Sequence, residues 1–359
     1  SKDIAGRFLL AYQGLRPPGV LKGKQGVLDY VRKVGCIQYD PLDIVGKNPE
    51  LVLQSRVANF SREHLRGLLY DERLLIDGWD KMMSIYPVED WPCFSRSRDR
   101  YRASYSDPTR PANAIVPELR KELQKRGPLS SIELDFDQKT DWHWGPTRMA
   151  RAALESMYFW GELVIHHKVH TRRVYDLATR HIPVELLGAP DPFDSEDEYL
   201  EWHVARRIGG IGMLWERSGG GWLGVHNLKA ATRKRILSNL VAKNRTVELV
   251  VDDIDRPFYI LADQLPLLDH VSAASAAPTR AAVIAPLDNL LWDRKMISAI
   301  FGFDYVWEVY KPVQERLYGY YVLPVLYGDR FVGRFEPGKD KVTGSIAIKD
   351  WWWEPDVRV

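Results

Sequence analysis

Between residues 113 and 187 the apolar residues change their period, and that change limits the fold more than any other feature of the chain. Leu119 and Leu123 share one face of a helix predicted over 117–125, which Gly127-Pro128 stops. Ser130-Ser131-Ile132-Glu133 fits a capping box opening a short second helix. Met149, Ala153, Met157 and Trp160 form the stripe of a third helix over 147–160, ended by Gly161. The pattern then turns to strands. Leu163-Val164-Ile165 and Val174-Tyr175-Asp176-Leu177 flank the basic run His166-His167-Lys168-Val169-His170-Thr171-Arg172-Arg173. Three helices followed by a basic β-hairpin is the outline of a winged helix, with the third helix as candidate recognition element.

The same order recurs more weakly on both sides. Ile4, Phe8, Leu9 and Tyr12 predict a first helix, and Val27, Leu28, Val31 and Val34 a second that stops at Gly35. Asn48-Pro49 reads as an N-cap with proline at the first helical position, and Leu65, Leu68 and Leu69 lie on a further helix after Ser61. Residues 74–79 supply a wing-like strand, and the basic stretch 96–112 a helix end and linker. Ser195 and Glu198 open another helix, with acids early and Arg206-Arg207 late, as the helix dipole favours. A helix over 229–242 leads to a hairpin of 247–251 and 258–261. From Ala281 onward short apolar strands at 283–284, 305–309, 319–325, 330–335 and 343–348 suggest a small antiparallel sheet or barrel. The predicted fold class is α+β. Tandem winged-helix modules over 1–112, 113–190 and 191–280 precede a β-barrel-like domain over 281–359.

Of 359 residues, 45% are hydrophobic and 27% charged, an ordinary globular balance. No run approaches the roughly 18 apolar residues of a membrane span. The first seven residues lack an apolar signal core, and two cysteines make no disulfide framework, so a cytoplasmic protein is expected. Net charge is only +2, but residues 1–60 hold nine Lys/Arg against five Asp/Glu. Further basic clusters lie at 96–102 and 166–173. Positive patches on a balanced chain fit a polyanion partner; each alone also fits solvated surface.

Gly35-Cys36-Ile37-Gln38-Tyr39-Asp40-Pro41 is the stretch where chemistry is expected. In an extended chain Gln38 and Asp40 point one way, Ile37 and Tyr39 the other, towards the interior. Pro41 favours an extended Asp40. An amide and a carboxylate side by side can hold and polarise one water. The alternation equally describes an edge strand with two solvated polar residues. Other motifs are weaker. His166, His167 and His170 lack the companions of a zinc site, so no metal is expected. The runs Gly209-Gly210-Ile211-Gly212 and Gly219-Gly220-Gly221 match neither a Walker nor a dinucleotide fingerprint. Cys36 reads as a small buried residue.

In order along nearly the whole chain, several segments resemble the bacterial winged-helix DNA glycosylases of the YcaQ-like family, relatives of the azinomycin-crosslink glycosylase. They are Ala11-Tyr12-Gln13-Gly14-Leu15, Ile37-Gln38-Tyr39-Asp40-Pro41 and Leu51-Val52-Leu53-Gln54-Ser55-Arg56. Later come Arg173-Val174-Tyr175-Asp176-Leu177, Pro286-Leu287-Asp288, Leu291-Trp292-Asp293-Arg294, Tyr318-Gly319-Tyr320-Tyr321-Val322-Leu323-Pro324 and Val332-Gly333-Arg334. The resemblance implies tandem winged helices and a barrel-like part, C-shaped around DNA. It implies monofunctional excision of alkylated bases of the N7-alkylguanine type, with unhooking of interstrand crosslinks in some members. The family motif of Gln, an apolar or aromatic residue, then Gln or Asp falls on Gln38-Tyr39-Asp40. The azinomycin-type members carry Gln third, so this chain matches the general-repair subset. Where many members carry aromatic-Trp-x-His-Glu, this chain has Gly78-Trp79-Asp80-Lys81-Met82.

On this reading Asp40 is the catalytic carboxylate, Gln38 orients the water, and no cofactor is needed. Arg56, Arg172, Arg173, Arg294 and Arg334 are candidate phosphate contacts. The partner is double-stranded DNA bearing alkylated bases or crosslinks, and the protein acts as a monomer, nucleoid-associated when on DNA. A non-enzymatic winged-helix regulator is the competing reading.

Overall fold

A computed structural model describes residues 1–357 of the chain apart from 18, 144, 274–278, 341 and 356. The fold is mixed α/β, with several small sheets among helices. Its backbone divides into two units. Unit 1 comprises Ser1–Leu65, Asp80–Ile85 and Ser195–Val359; unit 2 comprises Arg66–Trp79 and Tyr86–Asp194. The segment expected as a first module, 1–112, is thus shared between both units. The segment 113–190 lies wholly in unit 2.

Unit 2 carries the change of period. Val116–Arg126 is a helix burying Leu119 and Leu123, and it ends at Gly127, whose φ of +83° suits glycine. Ser130 and Glu133 close the expected capping box, but only a single 3₁₀ turn follows, Ser131–Glu133. Met149–Phe159 buries nine of its eleven residues, far more than one stripe. Helices and a sheet surround it, so this helix is the centre of its unit rather than a one-faced surface helix. The strands Leu163–Val169 and Arg172–Leu177 pair as an antiparallel hairpin. A small pair, Lys139–Thr140 with Thr147–Arg148, was not legible in the sequence.

Unit 1 packs the helices Lys2–Tyr12, Gly23–Val34, Glu196–Ile211 and Ala230–Ala242. The first buries Phe8, Leu9 and Tyr12, and the third is capped by Ser195 as its sequence suggests. The run Gly209–Gly212 owes its composition to this packing. The Gly209 carbonyl accepts from the Tyr12 hydroxyl at 2.7 Å. A Cβ on Gly210 would stand 2.6 Å from the Trp292 ring, closer than atoms tolerate. Phe258–Leu261 is the central strand of an antiparallel three-stranded sheet with Met213–Trp215 and Thr246–Leu249.

The C-terminal strands Ala281–Val283, Leu323–Tyr327, Arg330–Lys339 and Ile346–Trp353 form an antiparallel meander in chain order. Its first and last strands do not pair, so among the described residues the sheet is open rather than a closed barrel. Nor is 305–309 a strand. The Glu308 carboxylate accepts from the backbone N–H groups of Leu317, Tyr318 and Gly319 at 3.1, 2.8 and 3.4 Å, and from Lys311. A side chain there satisfies donors that a ladder would otherwise need, and a 3₁₀ turn, Glu308–Tyr310, takes the strand's place.

Candidate active site

The segment after Gly35 is pinned one residue at a time. Gly35 closes the helix Gly23–Val34 at φ +76°, and its carbonyl accepts from Arg206 Nη2 at 2.8 Å. The Cys36 carbonyl accepts from Asn289 Nδ2 at 2.9 Å. Ile37 and Gln38 pair antiparallel with Ile85 and Ser84, and Tyr39 N–H donates to the Met83 carbonyl at 2.8 Å. The Gln38 carbonyl accepts from Asn48 Nδ2 at 2.7 Å. Asn48 is therefore not an N-cap. It is the first residue of the helix Asn48–Gln54, and its amide instead joins Gln38 to Leu287, from whose N–H it accepts at 3.0 Å.

Ile37 and Tyr39 are buried, as alternation predicts. Gln38 is buried too, only 8% exposed, and does not belong to a solvated edge. Its Oε1 accepts from Lys81 Nζ at 3.2 Å. Asp40 is half-buried. Its Oδ1 accepts the Leu42 N–H at 2.9 Å, a local turn bond. Burial raises the Asp40 pKa above the ordinary carboxylate value, opposed by that one backbone bond. The charge of Asp40 reaches the phenols of Tyr310 and Tyr321, adding to burial in raising their pKa. Tyr321 is buried, whereas Tyr310 is 84% exposed.

Lys81 stands in the turn between the strands Leu75–Asp80 and Met82–Pro87, with Met82 held at φ +67°. Its Nζ lies 5.0 Å from the centre of the Trp292 ring. Burial first, and the charge of Arg207 second, lower its pKa to about 7. Neighbouring Asp80 is buried among cations. Its Oδ2 accepts from Arg206 Nε and its Oδ1 from Arg207 Nη2, both at 2.7 Å, with the His203 ring at 3.2 Å. Burial alone would raise Asp80, yet Arg207 and Arg206 hold its carboxyl well below the usual range. Burial pushes His203 down to about 4, so it is neutral near pH 7. The Cys36 thiol is pushed up to about 12 by burial, which leaves it no nucleophile.

The five arginines read as phosphate contacts are placed very differently. Arg56 is wholly buried, bonded to Asp288 and to the Gln13 carbonyl. Arg334 is 3% exposed, bonded twice to Glu354 and set against the Phe303 and Tyr318 rings. These two are core cations, Arg56 paired with a carboxylate 232 residues away and Arg334 with one 20 residues away, so counting local charge misjudged them. Arg294 is half-buried against Tyr305 and lines an open cleft of about 840 Å³ with Arg217, Arg256 and Lys295. In unit 2, Arg173 is half-buried with Nη1 3.6 Å from Glu155, and Arg172 is exposed beside the hairpin turn. His166 and His167 contact each other at 2.7 Å, and among the described residues no His, Cys, Asp and Glu group gathers to hold a metal.

Sequence reasoning passed over Asp80 and Lys81 as a mere departure. Two charges at the tip of a strand run of Leu75, Ile76, Trp79, Met82 and Ile85 were the available sign, because buried charges persist only where they are paired or used. Asn48 and Asn289 gave no such sign; Asn48 reaches Leu287, and Asn289 reaches Cys36, across more than 200 residues.

The family model described as DNA glycosylase AlkZ-like matches residues 31–358. Among solved structures, the Streptomyces sahachiroi DNA glycosylase AlkZ is similar over 100% of this chain and 92% of its own, at 16% identity and a TM-score of 0.64. At that identity the likeness is one of fold.

Proposed function

The chain belongs to the AlkZ-like DNA glycosylase family, and from that premise we propose that it hydrolyses the N-glycosidic bond of alkylated bases of the N7-alkylguanine type in DNA. The observation that carries the reading is the contrast within Gln38-Tyr39-Asp40. Asp40 keeps a half-exposed carboxylate with no cation bonded to it among the described residues, while Gln38 is locked in place.

An N7-alkylated purine is already cationic, so its glycosidic bond is weak and the base departs neutral. The demand on the protein is to stabilise an oxocarbenium-like sugar and deliver water to C1′. Asp40 as carboxylate meets the positive sugar and takes the proton that water gives up. Gln38 holds the water. No amine nucleophile is needed, and the product is an intact strand with an abasic site.

The hairpin Leu163–Val169/Arg172–Leu177 and the helices before it act as a winged-helix module on double-stranded DNA, with Arg172 a phosphate contact. The enzyme works as a cytoplasmic monomer. Unhooking of interstrand crosslinks extends the same chemistry to a bulkier N7 substituent. The test is release of 7-methylguanine from methylated duplex DNA by wild type beside Asp40→Asn. Absence of release by wild type, or equal release by the variant, would sink the assignment.

A further inference from the structure

We propose that Lys81 is a positioning residue for base excision, fixing the Gln38 amide so that its Nε2 end is the one presented to the attacking water. This rests on the reading of Gln38 and Asp40 as the catalytic pair. Lys81 Nζ has only donors when protonated, and it lies 3.2 Å from Gln38 Oε1. An amide whose oxygen is engaged offers its NH₂ group elsewhere, and Nε2 has no protein partner among the described residues. A water held through its oxygen by an N–H donor keeps both protons free for a base. Were the amide reversed, Gln38 would compete with Asp40 for the water's proton. The Lys81 donor therefore decides which end of a symmetric-looking side chain does the work.

The surroundings keep this donor in place. Lys81 is 5% exposed, and its ammonium end rests over Trp292, whose Nε1 is itself anchored on the Leu287 carbonyl at 3.2 Å. Asp80, the residue before it, is tied to Arg206, Arg207 and His203 on the helix Glu196–Ile211, which fixes the turn. The charged and titratable groups that act on the amine are Arg207, Arg294, Asp293 and Cys36. With its pKa lowered to about 7 by burial and Arg207, the amine titrates near neutrality, but both of its forms carry an N–H to donate. Orientation of Gln38 is thereby kept across that titration.

The experiment is a double-mutant cycle on a 7-methylguanine duplex, read as the single-turnover excision rate and, separately, as DNA affinity. Lys81→Met is expected to slow excision by about tenfold or more, with affinity changed less than about threefold. In a Gln38→Ala background the same substitution is expected to cost almost nothing. Equal losses with and without Gln38 would overturn the proposal, as would a loss confined to affinity. If Lys81→Met fails to give a cooperative melt, Lys81→Ala enters the same cycle in its place. Absence of excision by wild type removes the catalytic reading and this role together, whereas an active wild type with additive losses removes the role of Lys81 alone.

Discussion

Arg56 and Asp288, 232 residues apart, meet through two hydrogen bonds of 2.9 and 2.7 Å, and neither side chain is exposed at all. Arg56 also donates to the Gln13 carbonyl, and Gln13 in turn binds the Gly210 and Ile211 carbonyls and the Tyr30 hydroxyl. One buried cation thus ties together the segments around residues 13, 56, 210 and 288. Arg56→Met strands a buried carboxylate and is expected to destabilise unit 1 by about 3–5 kcal/mol. The pair Arg56→Met/Asp288→Leu removes both charges and should recover much of that loss. Denaturant unfolding of the three variants measures this. The salt dependence of DNA binding should not change, because the guanidinium does not reach a phosphate.

That circuit also shows what the sequence could and could not reveal. Helices and hairpins were legible wherever a local period existed, as at 116–126, 149–159 and 163–177. The segment from Ile37 to Asp40 was legible as extended, and Ile37 and Tyr39 face inward as alternation demands, but the burial of Gln38 was not legible. What failed depended on side-chain partners that no local period announces. Asn48 turned from its own helix to Gln38 and Leu287, Glu308 replaced a strand with side-chain bonds, and Arg56 and Arg334 found carboxylates. Charge read from sequence tells how many cations exist but not which of them remain in water.

Exposure separates Arg172 from those buried arginines. It stands beside the hairpin turn of unit 2, following His170 at φ +56°. A solvated guanidinium there can neutralise one phosphate. Arg172→Ala is expected to weaken binding to all duplex sequences alike and to lower the slope of log K against log salt by about 0.9. Titrations between low and moderate salt, on matched and unrelated duplexes, read both effects. A sequence-dependent loss, or an unchanged slope, would count against a phosphate contact.

Lys81 should leave a mark on stability as well as on rate. Its folded pKa of about 7 lies below its ordinary value of 10.5, so the unfolded chain binds the proton more tightly between those limits. Stability therefore rises with pH across that window, and below pH 7 the buried charge costs its full amount. Relative to Lys81→Met, wild type is expected to gain stability from pH 7 towards pH 10, at a slope of up to about 1.4 kcal/mol per pH unit. Parallel melts of the two proteins over that range provide the comparison. Curves that keep a constant separation would show that Lys81 holds its proton as an exposed lysine does.

Asp40 carries the opposite sign and the sharper functional consequence. Burial raises its carboxyl pKa, so ionising it costs the folded state something that the unfolded chain does not bear. Its contribution is neutral in acid and becomes unfavourable as pH rises through the folded pKa. Asp40→Asn is therefore expected to melt no lower than wild type at neutral pH, with the gap closing as the pH falls. Catalysis needs the ionised form. The excision rate of wild type should climb with pH through that same raised pKa and then level off. Asp40→Asn should lose about 10²- to 10⁴-fold in rate together with the acid limb of the profile. Single-turnover rates and melting temperatures measured on the same buffers join the two halves. A variant that is slower yet keeps the wild-type acid limb would assign the titrating group to another residue and return Asp40 to the role of a turn-forming carboxylate bonded to Leu42.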